Sequence, residues 1–318
     1  MYITRQKIYF FLINLVLINF ITITLLAAQL QATSSLHRPI IIWDLGGVAL
    51  QTDYKKAVSA VGLKNIITSL VAYKLLKRGF HPADAQKHSF TFMDWRRGCP
   101  PHTAAYNGSL PLPLDMREVM KGQTTSTAMV AAVCADCDAH SDYFVKYHNS
   151  QNSAREIVKG TMRCMLPENL VEIQAVNPKV LKLIRACKQT GNCRLLILSN
   201  WDKESGEPLI ASKPELFENF KREDITFSGQ TGYMKPEPDI YAYITNKYGI
   251  NPSDCVLIDD QPENIIAAQA AGWQHSFIHT NAANTEAELT RLGVLGKNGA
   301  PSNEFAIARS QSSPKRLA

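Results

Sequence analysis

Three apolar runs of strand length in this chain stop at carboxylates or small polar groups. Ile40 to Trp43 ends at Asp44, Leu195 to Leu198 ends at Ser199 and Asn200, and Val256 to Ile258 ends at Asp259 and Asp260. A continuous apolar run without alternation is the pattern of a strand buried on both faces, which a parallel sheet with helices on either side provides. In open α/β sheets ligand chemistry gathers beyond the carboxyl ends of the strands, so the recurrence points to one shared site. A fourth segment, YMKPEPDIY (Tyr233 to Tyr241), contributes Lys235 ahead of a proline-rich helix start.

Between and around these segments the chain alternates strand and helix at both ends and is helical in the middle. Residues 40–44 read as a buried strand, and residues 53–78 carry helical periodicity broken near Gly62. Pro100 to Pro113 is a Pro/Gly-rich loop, and residues 115–136 and 141–165 read as further helices. The α/β pattern then returns. Asn177 caps a helix with Pro178 in its first turn and Gly191 past its end, followed by strands at 194–199 and 225–228. A helix from about Asp239 ends at Gly249, a strand covers 256–259, a helix runs from Pro262 to Ala271 with Gly272 as its stop, and a last strand covers 276–279. The expected fold is therefore α/β, a three-layer Rossmann-like parallel sheet core (33–50 and 167–290) with an inserted all-helical cap (51–166). An insertion of that length is too long for a loop and hangs over the carboxyl ends of the strands, where a lid can exclude water. The tail, 291–318, is rich in Ser, Asn, Lys and Arg beyond Leu295 and is expected to be disordered.

With 45% hydrophobic and 19% charged residues in 318, the balance is that of a globular protein. The net charge of +6 comes from scattered lysines and arginines with no basic stripe of interleaved aromatics, which argues against nucleic acid as a partner. Residues 1–32 belong to targeting. Arg5 and Lys7 precede an uncharged apolar stretch at 8–28, and Ala27, Ala28 and Ala32 offer cleavage points, so an exported protein, periplasmic or secreted, is expected. The stretch is also about the length that spans a bilayer, so an uncleaved anchor holding the rest of the chain outside the cytoplasm is the alternative, and it is the expected route of any membrane attachment. Seven cysteines, an odd number, leave at least one outside any intrachain pairing; Cys134/Cys137 and Cys187/Cys193 are close enough in sequence to bridge.

The four segments in this order resemble the haloacid dehalogenase superfamily, in the branch whose helical cap lies between the first and second motifs. The likeness covers about 38–50 and 167–280. The strings DLGGV, LSN, KPEPDIY and PSDCVLIDDQPEN are most similar to sugar-phosphate phosphatases of the glucose-1-phosphatase kind.

Physical chemistry assigns the same groups. A carboxylate ending an apolar strand is costly unless ligated or hydrogen-bonded, so Asp44 is the candidate nucleophile and magnesium ligand, and the resemblance implies an aspartyl-phosphate that water then hydrolyses. Gly46 can bring its backbone carbonyl to the metal, and Gly47 keeps the following turn open. Ser199 and Asn200 offer a hydroxyl and an amide to phosphate oxygens, and Lys235 offsets the negative charge crowded between Asp44 and a phosphate. Asp259 and Asp260 repel each other unless a cation or proton sits between them, and Mg²⁺ prefers oxygen ligands. By the resemblance Asp260 is the closer ligand, Asp259 the supporting one, and Asn264 a tether for their loop. Trp43, Trp95 and Trp201 read as packing residues.

One departure bears on mechanism. Active phosphatases of this superfamily usually carry a second aspartate, a general acid and base, two residues after the nucleophile; here that position is Gly46. Some of the sugar-phosphate phosphatases share the glycine. A leaving group of low pKa needs less help, or the cap can supply the acid, with Asp53 and Asp94 as candidates. Three readings stay open: a Mg²⁺-dependent phosphomonoesterase acting on a small phosphorylated substrate, a dehalogenase that needs no metal, and an exported binding protein whose chemistry has faded. The adjacent aspartates count against the second, and Gly46 favours the third.

Overall fold

The computed structural model describes residues 39–99, 112–150 and 152–296. The expected targeting segment, most of the Pro/Gly-rich loop and the tail beyond 296 lie outside them. In chain order the described elements are β1 (Ile40–Trp43), β2 (Leu50–Thr52), α1 (Tyr54–Val61), α2 (Leu63–Leu76), α3 (Ala85–Arg96), α4 (Leu114–Met120), α5 (Ser126–Ala139), α6 (Ser141–His148), α7 (Asn152–Arg163) and α8 (Pro167–Glu172). They continue with β3 (Gln174–Val176), α9 (Pro178–Thr190), β4 (Arg194–Ser199), α10 (Lys203–Ser212), α11 (Pro214–Phe217), β5 (Ile225–Phe227), α12 (Pro238–Tyr248), β6 (Cys255–Asp259), α13 (Pro262–Ala270), β7 (Phe277–Ile278) and α14 (Ala282–Arg291).

Five strands form one sheet in the order β5-β4-β1-β6-β7, every neighbouring pair parallel. Successive side chains on a strand point to opposite faces, and the central strands are apolar except at their ends (Arg194, Ser199 and Asp259), so both faces are covered. Ile41, Trp43, Ile197 and Ile258 pack with Val180, Ile184 and Cys187 of α9 and Leu289 of α14. Ile42, Leu196 and Leu257 pack on the other side with Ile240, Tyr241 and Ile244 of α12, Ile265 of α13 and Trp273. The result is the expected three-layer α/β core.

The helices between β2 and α8 hold an apolar cluster of their own, built around Phe92, Met93, Val119, Val133, Phe144, Ile157 and Val158. Two long expected helices are each broken. The first stops at Met120 because Gly122 adopts φ +68° with its backbone against Gly229, where a Cβ would fall 2.1 Å from the Gly229 carbonyl oxygen. The second divides at Asn149, in the left-handed region at φ 48°. Helix α3 and the short antiparallel pair of β2 and β3 had no clear periodic signature and are additions to the expected elements. At the other end, Leu292, Val294 and Leu295 are buried in the sheet's apolar layer, so the ordered chain passes the 291 boundary expected for the tail.

Candidate active site

Strand register brings the acidic groups together. Trp43 of β1 is aligned with Ile258 of β6, so Asp44 and Asp259 emerge at the same edge of the sheet, while β4, aligned through Ile197, runs two residues further to Ser199. There the Asp44 backbone N–H donates to the Ile258 carbonyl oxygen at 3.0 Å, which sets Asp44 beside Asp259. Carboxylate oxygens of Asp44, Asp259 and Asp260 lie within 4.8 Å of one another. Among the described residues this is the one cluster of three or more possible protein ligands for a metal.

Lys235 closes the cluster. Its ammonium donates to Asp44 Oδ1 at 2.8 Å and to Asp259 Oδ2 at 2.5 Å, and the side chain is only 1% exposed. Burial acts to strip its proton, but the two carboxylates outweigh burial and hold its pKa above the ordinary lysine value. Asp44 responds differently. Burial pushes it up to about 7, against the pull of Lys235 and with added repulsion from Asp259 and Asp260. Asp260 is raised chiefly by burial and then by Asp259. With all three acids ionised, the charge is −3 + 1 = −2 in a water-poor site. That residue of charge and a donor set of hard oxygens fit a divalent cation such as Mg²⁺.

Short polar side chains fix the geometry. Asn264 Nδ2 and the Gln261 backbone N–H both donate to Asp259 Oδ1 at 2.9 Å, and Gln261 Nε2 donates to Asp260 Oδ2 at 2.8 Å. The buried Tyr241 hydroxyl in turn donates to the Asn264 carbonyl oxygen at 2.8 Å. Gly47 sits at φ +76°, and a Cβ there would fall 2.3 Å from Asp260 Oδ2, so only glycine lets the first loop pass the acidic doublet. Gly46 is exposed, and a Cβ on it meets nothing within 4 Å.

The two residues expected to bind phosphate differ. Ser199 ends β4, buried, with its hydroxyl making no hydrogen bond among the described residues. Asn200 is committed to the Lys235 backbone: its Oδ1 accepts from the Lys235 N–H at 2.9 Å and its Nδ2 donates to the Lys235 carbonyl oxygen at 2.8 Å. It therefore positions the lysine, with one amide hydrogen to spare. Asp53 spends Oδ1 capping α1, accepting from the N–H groups of Lys55 and Lys56, and Asp94 lies buried in α3. Trp43 and Trp201 belong to the core beside α9, and Trp95 packs on the apolar cluster of the inserted helices.

Sequence reasoning missed the contacts that seat the inserted helices on the core. Met234, next to Lys235, is buried in the insert's apolar cluster. Glu237 Oε1 accepts from Lys121 at 2.6 Å and Arg117 at 3.1 Å of the insert. Burial acts to raise its pKa, but the two cations hold it below the usual carboxylate value. At the start of α5, Glu204 accepts from the Thr127 N–H and the Ser126 hydroxyl, both at 2.9 Å. The Gln261 contact was legible, since an aspartate accepting from the N–H two residues on is an ordinary turn before a helix. The cross-domain contacts carried no sequence signal.

Residues 39–272 match the family profile of the haloacid dehalogenase-like hydrolases. The chain belongs to this family. Among curated proteins it is similar to bifunctional epoxide hydrolase 2 of Mus musculus (27% identity over 138 residues, 40% of this chain and 24% of that protein). It is also similar to a chloroplast flavin mononucleotide hydrolase 1 of Arabidopsis thaliana (33% over 63 residues, 20% and 25%) and to hexitol phosphatase A of Escherichia coli strain K12 (34% over 61 residues, 19% and 26%). The chain spans about a quarter of the length of these relatives. Among solved structures, a family enzyme of Bacteroides thetaiotaomicron in complex with magnesium and inorganic phosphate aligns at 17% identity and TM-score 0.40, over 74% of this chain and 90% of that one. A family hydrolase of Deinococcus radiodurans with bound phosphate and sodium aligns at 16% and 0.46, over 82% and 99%.

Proposed function

We propose that this hydrolase is a magnesium-dependent phosphomonoesterase that works through an aspartyl-phosphate on a small phosphorylated metabolite, outside the cytoplasm. The observation that carries the reading is the buried group of Asp44, Asp259 and Asp260 with Lys235 among them, two negative charges in excess. Asp44, Asp259, Asp260 and the Gly46 carbonyl would hold Mg²⁺, which when bound supplies charge neutralisation at the phosphoryl oxygens and keeps Asp44 ionised. In the reaction an Asp44 carboxylate oxygen attacks phosphorus, the P–O bond to the leaving group breaks, and the electron pair departs with that oxygen. Lys235 holds the other Asp44 oxygen in place and offsets the charge that builds on the phosphoryl group. The Ser199 hydroxyl and the spare Asn200 amide hydrogen offer donors to it. Water then attacks the phosphorus of the acyl-phosphate and frees Asp44. Leaving groups of low pKa are favoured, because Gly46 has no side chain to donate a proton. The names of two curated relatives, a flavin mononucleotide hydrolase and a hexitol phosphatase, support phosphate esters as the substrate class. The apolar stretch at 8–28 supports the location.

The second reading, a fold kept for binding with its chemistry faded, is favoured by Gly46 alone. Hydrolysis of para-nitrophenyl phosphate by wild type and Asp44→Asn, with and without Mg²⁺, separates the two. Turnover that requires the metal and falls at least about a thousandfold in Asp44→Asn is expected for loss of the nucleophile. Absence of turnover in wild type across metals and substrates refutes the phosphatase.

A further inference from the structure

Helix α2 is apolar on both its inward and its outward side. It turns Asn65, Ile66, Ser69, Leu70 and Ala72 inward, and the first of these spends its amide on the Val61 carbonyl oxygen. Its outward face carries Leu63, Ile67, Val71 and Leu75, spaced by four residues and 59%, 53%, 47% and 75% exposed. Four-residue spacing puts side chains in one row along a helix, so these form a stripe and not scattered surface residues. Tyr54 (79% exposed) and Val58 of α1 repeat the same spacing. Isolated exposed apolar residues need no explanation, but a row of large ones over two consecutive helices marks a surface that meets something apolar.

The charge carried by the stripe's own segment is of one sign. Between 54 and 78 stand Lys55, Lys56, Lys64, Lys74, Lys77 and Arg78, all exposed, and no Asp or Glu. The scatter of charge along the whole chain hides this local excess. At the end of α2, Tyr73, Lys74, Lys77 and Gly79 line an open depression that brings two lysines together. At 14 residues α2 is about 21 Å long, short of the roughly 30 Å hydrocarbon core, and no described helix is long and apolar enough to cross a membrane. An apolar row with lysines beside it, on a helix too short to span, can rest on a bilayer surface while the long lysine side chains reach the headgroups.

We propose that the α1–α2 face is a peripheral docking surface for a bilayer of anionic phospholipid, with Leu63, Ile67, Val71 and Leu75 entering the headgroup boundary and the surrounding lysines on lipid phosphates. The positive excess of segment 54–78, six cations and no Asp or Glu, favours this occupant over a second copy of the chain, which would set the same six cations against each other. The surface is separate in sequence from the apolar stretch at 8–28, which would hold the chain to any bilayer irrespective of lipid charge.

Flotation of the full chain with phosphatidylcholine vesicles, and with vesicles also containing phosphatidylglycerol, tests this without needing turnover. The quantity that matters is the excess binding to the anionic vesicles, since residues 8–28 contribute to both. K64Q/K74Q/K77Q should lower that excess by on the order of a hundredfold, as each lysine near an anionic surface is worth roughly fivefold. L63S/I67S/L75S, which changes exposed side chains only, should lower it at least about tenfold, and added salt should weaken it. An excess that survives either triple substitution overturns the proposal, and so does wild type without any excess. Light scattering that finds a dimer abolished by L63S/I67S/L75S, with vesicle binding unchanged, assigns the face to a second copy instead.

Discussion

Replacing Lys235 with methionine should destabilise the metal-free protein in a way that depends on pH. The ammonium lies 2.8 Å from Asp44 and 2.5 Å from Asp259 in a buried site, so each pair is worth about 6 kcal/mol at an effective dielectric of roughly 20. Much of that offsets the cost of burying the lysine, and removing one partner of a buried ion pair costs a net ~3–5 kcal/mol. At roughly 2–4 °C per kcal/mol for a domain of this size, the melting temperature should drop by about 10 °C. The sign of the pH dependence follows from Asp44. Its folded value, about 7, lies above the unfolded 3.8, so its favourable contribution is complete below the unfolded value and is lost as pH rises through the folded one. Without the lysine, which pulls it down, Asp44 is pushed higher still. The deficit relative to wild type should then be small near pH ~5, where Asp44 takes up its proton, and full near pH ~8. Melting curves in chelator at the two pH values measure it, and Mg²⁺ added at the higher pH should recover part of the loss through binding to the folded state. An equal deficit at both pH values would show that Lys235 fills space and does not balance charge, and the argument for a divalent site would fail with it.

Two other expectations concern the loops around the site. Gly46→Asp meets open space, so the folded protein should tolerate it; turnover of alkyl phosphates should rise by about a hundredfold while para-nitrophenyl phosphate, whose leaving group needs no proton, changes little. An equal rise for both substrates rules out proton donation as its cause. Glu237→Gln removes the charge that holds Arg117 and Lys121 of the inserted helices beside Lys235; a stability loss of about 1 kcal/mol and a rise in KM larger than any fall in kcat are expected from thermal melts and steady-state kinetics.

Much of the site was legible because its residues end strands. An apolar run that stops at Asp44 or at Asp259 and Asp260 is visible in one dimension, and parallel register turns equal strand ends into one spatial edge. Lys235 was legible from its chemistry and its neighbours, although nothing local announces that the fold buries it. Asn200 was read as a phosphate ligand; that its amide also spans both backbone groups of Lys235 was not legible, since the pairing depends on two loops meeting 35 residues apart. Helices α4 and α5 were read as one, because the reason for the break, Gly122 lying against the Gly229 backbone, is a tertiary contact.

The sequence alone determined the layers. Runs of Ile, Leu and Val without alternation demand a sheet covered on both faces, and caps such as Asn177 with Pro178 and Gly191 place helix ends by local hydrogen bonding and backbone preference. Tertiary structure alone decided how the acids share charge, where Met234 and Glu237 fasten the insert, and that α2 turns Leu63, Ile67, Val71 and Leu75 outward. Periodicity states which residues share a face, but only packing against the rest of the chain chooses which face is buried.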